Sequence, residues 1–189
     1  KQFTNDFGSR KVNYTITQIG AQYKEYTLEL SYNDIKEALL AARQAEVDAE
    51  KTSFSTTYSF DINVTATAED ESELELTLRC NDIRYDDSVN SEAICVYGGG
   101  SNGYVQSVTP VYAVTAAEVV VSKDEPVVKV GKTSADETGA LTSAAADGMK
   151  VYTGSANLAS QNAYFSVGTS SWSYKSVDMS SVKIIFVNE

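Results

Sequence analysis

From Tyr58 to Cys80 apolar and polar residues alternate, a period that only an extended chain converts into one dry face and one wet face. Tyr58, Phe60, Ile62, Val64, Ala66 and Ala68 interleave with Ser59, Asp61, Asn63, Thr65 and Thr67. After Glu69-Asp70-Glu71-Ser72 the alternation resumes, with Leu74, Leu76, Leu78 and Cys80 set against Glu73, Glu75, Thr77 and Arg79. Two such runs across a short polar turn predict a long antiparallel hairpin with one side on the core.

The rest of the chain extends the same pattern. Strand signals occur at Val12–Ile19, Tyr26–Tyr32, Ala93–Tyr97, Tyr104–Val108, Val111–Val121, Val127–Val130, Met149–Tyr152, Tyr164–Val167 and Val182–Val187. One segment, about 33–50, has helical spacing instead. Ile35, Leu39, Ala42 and Ala49 form a thin apolar stripe, Lys36, Arg43 and Asp48 face away, and Asn33 or Asp34 is positioned as the N-cap with Glu37 beyond it. Gly131 to Gly148 reads as a long loop or a weak helix around Leu141–Ala146. Many short strands with one amphipathic helix predict a mostly β chain, an antiparallel β-sandwich or jelly roll. Residues 1–9 form a flexible polar lead, and 10–189 form a single domain with a possible sub-boundary near 110–126.

A chain of 189 residues with 42% hydrophobic content can bury a core, and its 12 Tyr against 2 Pro favour strands. With 26 acidic residues against 15 basic, the net charge is −11. Nucleic acid is excluded as a partner because phosphate recognition needs clustered Lys and Arg, and an anionic membrane surface is disfavoured likewise. No apolar run reaches the roughly 18 residues of a transmembrane segment.

Cys80 and Cys95 are the chain's two cysteines and flank a polar stretch. A disulfide between them would stabilise the fold by about 3 kcal/mol through loop closure, while two buried thiols are the alternative. The glycosylation-type triplets Asn13-Tyr14-Thr15 and Asn63-Val64-Thr65, together with a start at Lys1 rather than Met, favour the disulfide and an exported protein, extracellular or on the cell surface. A removed leader or a trimmed chain would both account for that start.

Histidine is absent. That removes the usual general base near neutral pH, His-dependent nucleophile systems and His-ligated zinc, and two cysteines cannot hold a four-Cys zinc. Carboxylate chemistry survives: two acids across a cleft suffice for glycoside hydrolysis, with Asp61, Asp86, Asp87 and Glu92 as candidates. Asp82, Asp86 and Asp87, with backbone carbonyls, are candidate ligands for a structural calcium ion, the one cofactor considered. A charged surface loop is the alternative reading of the same residues.

Trp172 lies in the polar stretch Thr169-Ser170-Ser171-Trp172-Ser173-Tyr174, and Tyr97 and Tyr104 flank the loop Gly98-Gly99-Gly100-Ser101-Asn102-Gly103. Aromatic faces on polar loops stack on sugar rings or dock on proteins; the alternative places Trp172 in the core. The segment Val177-Asp178-Met179-Ser180-Ser181-Val182-Lys183-Ile184-Ile185-Phe186 resembles the closing strands of jelly-roll carbohydrate-binding modules over about ten residues, which implies a sugar-binding fold. The expectation is a non-catalytic binding module for a glycan or a surface protein. One alternative is a pilus, filament or virion subunit that self-assembles by strand addition, with the N-terminal lead or Val12–Ile19 as the donated strand. The other is a carboxylate-dependent glycoside hydrolase.

Overall fold

The computed structural model describes residues 2–7, 10–17, 23–85, 93–123, 126–131, 142–146, 149–153, 156–157, 163–169 and 172–189. In chain order these form β1 (Gln2–Phe7), β2 (Arg10–Thr17), β3 (Lys24–Leu30), α1 (Tyr32–Asp48), β4 (Thr57–Ala68), β5 (Glu73–Arg84), β6 (Ile94–Tyr97) and β7 (Tyr104–Ser107). They continue with β8 (Ala113–Lys123), β9 (Val127–Gly131), β10 (Thr142–Ala146), β11 (Met149–Thr153), β12 (Ala156–Asn157), β13 (Tyr164–Gly168) and β14 (Ser176–Asn188). Among the described residues the protein is mostly β with one helix and antiparallel sheet, consistent with the sandwich class.

The expected hairpin is β4–β5, with Ala66 opposite Leu74, Val64 opposite Leu76 and Ile62 opposite Leu78. Its dry residues join a core that also holds Leu28, Ile94, Met179, Ile184 and Phe186. The large sheet runs β10-β11-β8-β14-β3-β4-β5-β7-β13-β9, so strands from both sides of segment 110–126 share it. β6 pairs with both β14 and β5. The path β14–β3–β4–β5 therefore returns to β14 through β6, and the sheet closes on its own apolar face. On the opposite face of β8 and β14, Ala113, Ala116, Ile185 and Val187 are also buried. A small sheet, β1-β2-β12, forms a second unit, and β12 lies against β8. Residues 1–9, read as a loose lead, thus include a strand: β1 pairs with β2 from Gln2 opposite Thr15 to Phe7 opposite Arg10.

Helix α1 packs on β4 through Ile35 and Leu39. Its N-cap is Ser31 rather than Asn33 or Asp34, and Asp34 instead accepts the Ser31 backbone N–H at 2.7 Å. The stripe also differs from expectation, because Ala49 is exposed and Glu46 is buried. Glu46 is tolerated there because it is fully engaged. Its carboxylate accepts from Ser55 N (3.0 Å), Ser55 Oγ (2.5 Å) and Tyr58 Oη (2.7 Å), with Lys51 Nζ at 3.4 Å. Hydrogen bonds from Ser55 and Tyr58, outweighing burial, hold its pKa down at about 2. Arg43, expected on the outer face, is half-buried: its guanidinium donates to Tyr58 Oη and lies 4.1 Å from the Phe54 ring centre and 4.8 Å from that of Tyr85.

Two further expectations are corrected. Residues 142–146 form β10, a strand paired with β11, not a loop or helix. Cys80 and Cys95 are both buried free thiols. Strand parity explains why they do not meet. Val96 sits directly opposite Ile83 and both face the core, as do Cys80 and Ile94. Cys95, between Ile94 and Val96, must therefore project from the other face of the sheet. There it lies opposite Asp178, beside that carboxylate. Burial pushes both thiols up to about 12, aided at Cys95 by the Asp178 carboxylate and at Cys80 by Asp61.

Candidate functional site

β5 and β6 meet at the bridge Ile83–Val96, and Arg84 and Tyr97 follow those two residues on either side of it. Thr57 faces Arg84 as the last rung of β4–β5, and Tyr97 faces Ser176 as the last rung of β6–β14. Between them lies a groove of about 530 Å³ lined by Thr56, Thr57, Arg84, Tyr97, Tyr174, Lys175 and Ser176. Its size is within the roughly 300–1,000 Å³ of typical ligand clefts. Arg84 Nη1 donates to Ser176 Oγ at 3.1 Å, which fixes the guanidinium against the groove wall.

The rim is built by two loops joined through their backbones. Gly98 N donates to Lys175 O and Trp172 N to Gly99 O, both at 3.0 Å; Tyr174 N donates to Gly98 O. At the base, Thr169 N donates to Gly103 O at 2.8 Å, and Gly103 N to Thr169 Oγ1 at 3.0 Å. This close approach requires glycine at two places. A Cβ on Gly168 would lie 2.0 Å from Gly103 O, and one on Gly103 would lie 2.6 Å from the Tyr97 backbone.

The joined loops turn Trp172 and Tyr174 outward. Trp172 is 66% exposed and Tyr174 63%, so the core reading of Trp172 is set aside. Their rings meet edge to face at a centroid distance of 6.0 Å, and the Trp172 ring lies over Gly100. Both residues have positive φ, 58° and 52°. Bulky side chains adopt that region only under strain, of order 1–3 kcal/mol each, and such strain concentrates at functional sites.

Of the four aromatic residues singled out from the sequence, Tyr97 and Tyr174 line the groove and Trp172 adjoins it through Tyr174. Tyr104 does not line it; it stands at the other end of the glycine loop, opposite Asn81 and Gly168. Arg84, Lys175 and Ser176 were missed, although a cation directly follows Tyr174 and another directly precedes Tyr85 in sequence. Of the calcium candidates, Asp82 accepts from Ser101 Oγ at 2.6 Å, while Asp86 and Asp87 lie outside the described residues, as does Glu92. Among the described residues no three acidic or cysteine side chains cluster as a metal site requires.

A second cleft, about 510 Å³, opens past the end of α1 and is lined by Glu46, Glu50, Lys51, Thr52, Ser53, Phe54 and Ser55. Its Glu46 is held ionised by the hydrogen bonds described above, the reverse of what a catalytic acid needs. No helix among the described residues is long and apolar enough to cross a membrane. Comparison with protein-family models, with curated proteins and with solved structures finds no match to this chain.

Proposed function

We propose that the chain is a non-catalytic binding module of extracellular or cell-surface type that recognises saccharides at the groove beside Trp172 and Tyr174. One observation carries this reading: two large aromatic side chains face solvent next to a polar groove, on backbone that is strained to put them there. Aromatic faces offer contact area for the CH groups of a sugar ring at small cost in side-chain entropy. The hydroxyls of Thr56, Thr57, Tyr97 and Ser176 supply donors and acceptors for ring hydroxyls. What the lining offers is stacking surface and hydrogen bonds, not a facing pair of carboxylates.

Glycan-array binding by the native chain and by Trp172→Ala and Tyr174→Ala tests the reading. Each truncation should weaken binding roughly ten- to a hundredfold, the equivalent of re-exposing one aromatic contact. Retention of full affinity by both variants, or binding to surface proteins but to no glycan, would contradict it.

The assembly reading keeps one structural support. The edge strand β9 pairs with β13 and has no strand partner on its other side among the described residues, which is the geometry strand addition uses. A purely monomeric mass in light scattering at high concentration would remove this alternative.

A further inference from the structure

We infer that the saccharide taken by this groove is anionic, carrying carboxylate or sulfate groups, and that Lys175 is the residue that selects it. The inference rests on the saccharide reading above and adds the charge of the ligand.

The chain has 26 acidic and 15 basic residues, so a surface patch drawn at random would carry more acid than base. The groove departs from that: its charged lining residues are Arg84 and Lys175, both basic, and no described lining residue is acidic. The cations are set differently. Arg84 is positioned by Ser176, itself buried, on the last rungs of two strand pairs. Lys175 is exposed, and its carbonyl is tied to Gly98, so the backbone is fixed while the ammonium is free to extend over the groove. The acidic residue of this stretch, Asp178, is buried two positions past Ser176 on β14, opposite Cys95, and is not in the lining.

A neutral ring docked between Tyr97 and Tyr174 would strip water from the Lys175 ammonium and return only dipoles. An anionic substituent returns a full opposite charge. The net charge of −11 disfavours anions over the surface as a whole, and the two cations of this groove offset that locally.

Isothermal titration of the full chain with three oligosaccharides decides the matter: a hexuronic acid oligomer, the same oligomer with its carboxyl groups reduced to alcohols, and a sulfated form of that neutral oligomer. The inference predicts that at least one anionic form binds on the order of tenfold more tightly than the neutral one, the size of one charge-assisted contact. Lys175→Gln should collapse that ratio towards one, while Lys36→Gln, an exposed lysine on α1, should leave it unchanged. Which anionic form is preferred separates carboxylate from sulfate. Neutral and anionic forms binding alike, or a preference surviving Lys175→Gln, overturns the inference and leaves the saccharide reading standing. Binding of none of the three overturns both.

Discussion

Trp172 and Tyr174 occupy backbone that suits glycine, at φ 58° and 52°, and hydrogen bonds to Gly99 and Gly98 hold them there. The strain gives a test that inverts the usual order of substitutions. Trp172→Ala and Trp172→Gly lose the same ring contacts, but alanine retains the unfavourable φ and glycine does not. Trp172→Gly should therefore be more stable than Trp172→Ala by about 1 kcal/mol in chemical denaturation. Glu46 supplies the second test at this scale. Its pKa falls from an ordinary 4.5 to about 2 on folding, so its ionised form contributes stability above pH 4.5 that is lost as the pH drops through about 2. Melting temperatures followed from pH 5 to pH 2 should fall more steeply for the native chain than for Glu46→Gln. Tyr58→Phe, which removes both the donor to Glu46 and the acceptor for Arg43, should cost about 1–3 kcal/mol. The two thiols give a third. Both are buried and face opposite sides of the sheet, so a reductant should leave the melting temperature unchanged, and a thiol reagent should label both cysteines only after denaturation.

At the scale of elements, the β4–β5 hairpin was legible because half-burial writes itself as strict alternation, and β6, β7, β8, β9, β11 and β13 overlap short apolar runs for the same reason, whereas only the second half of β14 and no part of β12 carried such a run. Where the physics is not one-faced, the pattern failed. Thr142–Ala146 is all small residues, which carry no side-chain contrast to set a period, although Asp147-Gly148 after it is a hairpin-turn signal. Helix α1 was found, but Ala49 was expected inside and Glu46 is inside. The Ser55, Tyr58 and Lys51 groups that satisfy Glu46 lie beyond the helix, where periodicity has no view of them. The disulfide was misread because sequence distance shows that two cysteines flank one stretch and not which face each occupies. The loop junction is the element most sensitive to a single change. Gly168→Ala would drive a methyl group into Gly103 O and Tyr104 Cα and should destabilise by about 1–3 kcal/mol or more, with loss of groove binding.

In the whole molecule, closure of the sheet through β6 creates the groove. Because β6 bonds to both β5 and β14, Arg84, Tyr97 and Ser176 end up lining one groove although Tyr97 and Ser176 stand 79 positions apart in sequence. No sequence pattern carries that long-range pairing, so the aromatic residues were legible and the cations beside them were not. The fold also places the chain's one tryptophan at the rim, which makes the site directly observable. The emission of Trp172, followed while a hexuronic acid oligosaccharide is titrated into the native protein, is the most direct test of saccharide recognition there. The account predicts a solvent-type emission at the start and a saturable shift to shorter wavelength as a sugar ring covers the indole. An emission already blue-shifted without ligand, or one that stays unchanged while calorimetry shows the sugar binding, would contradict it.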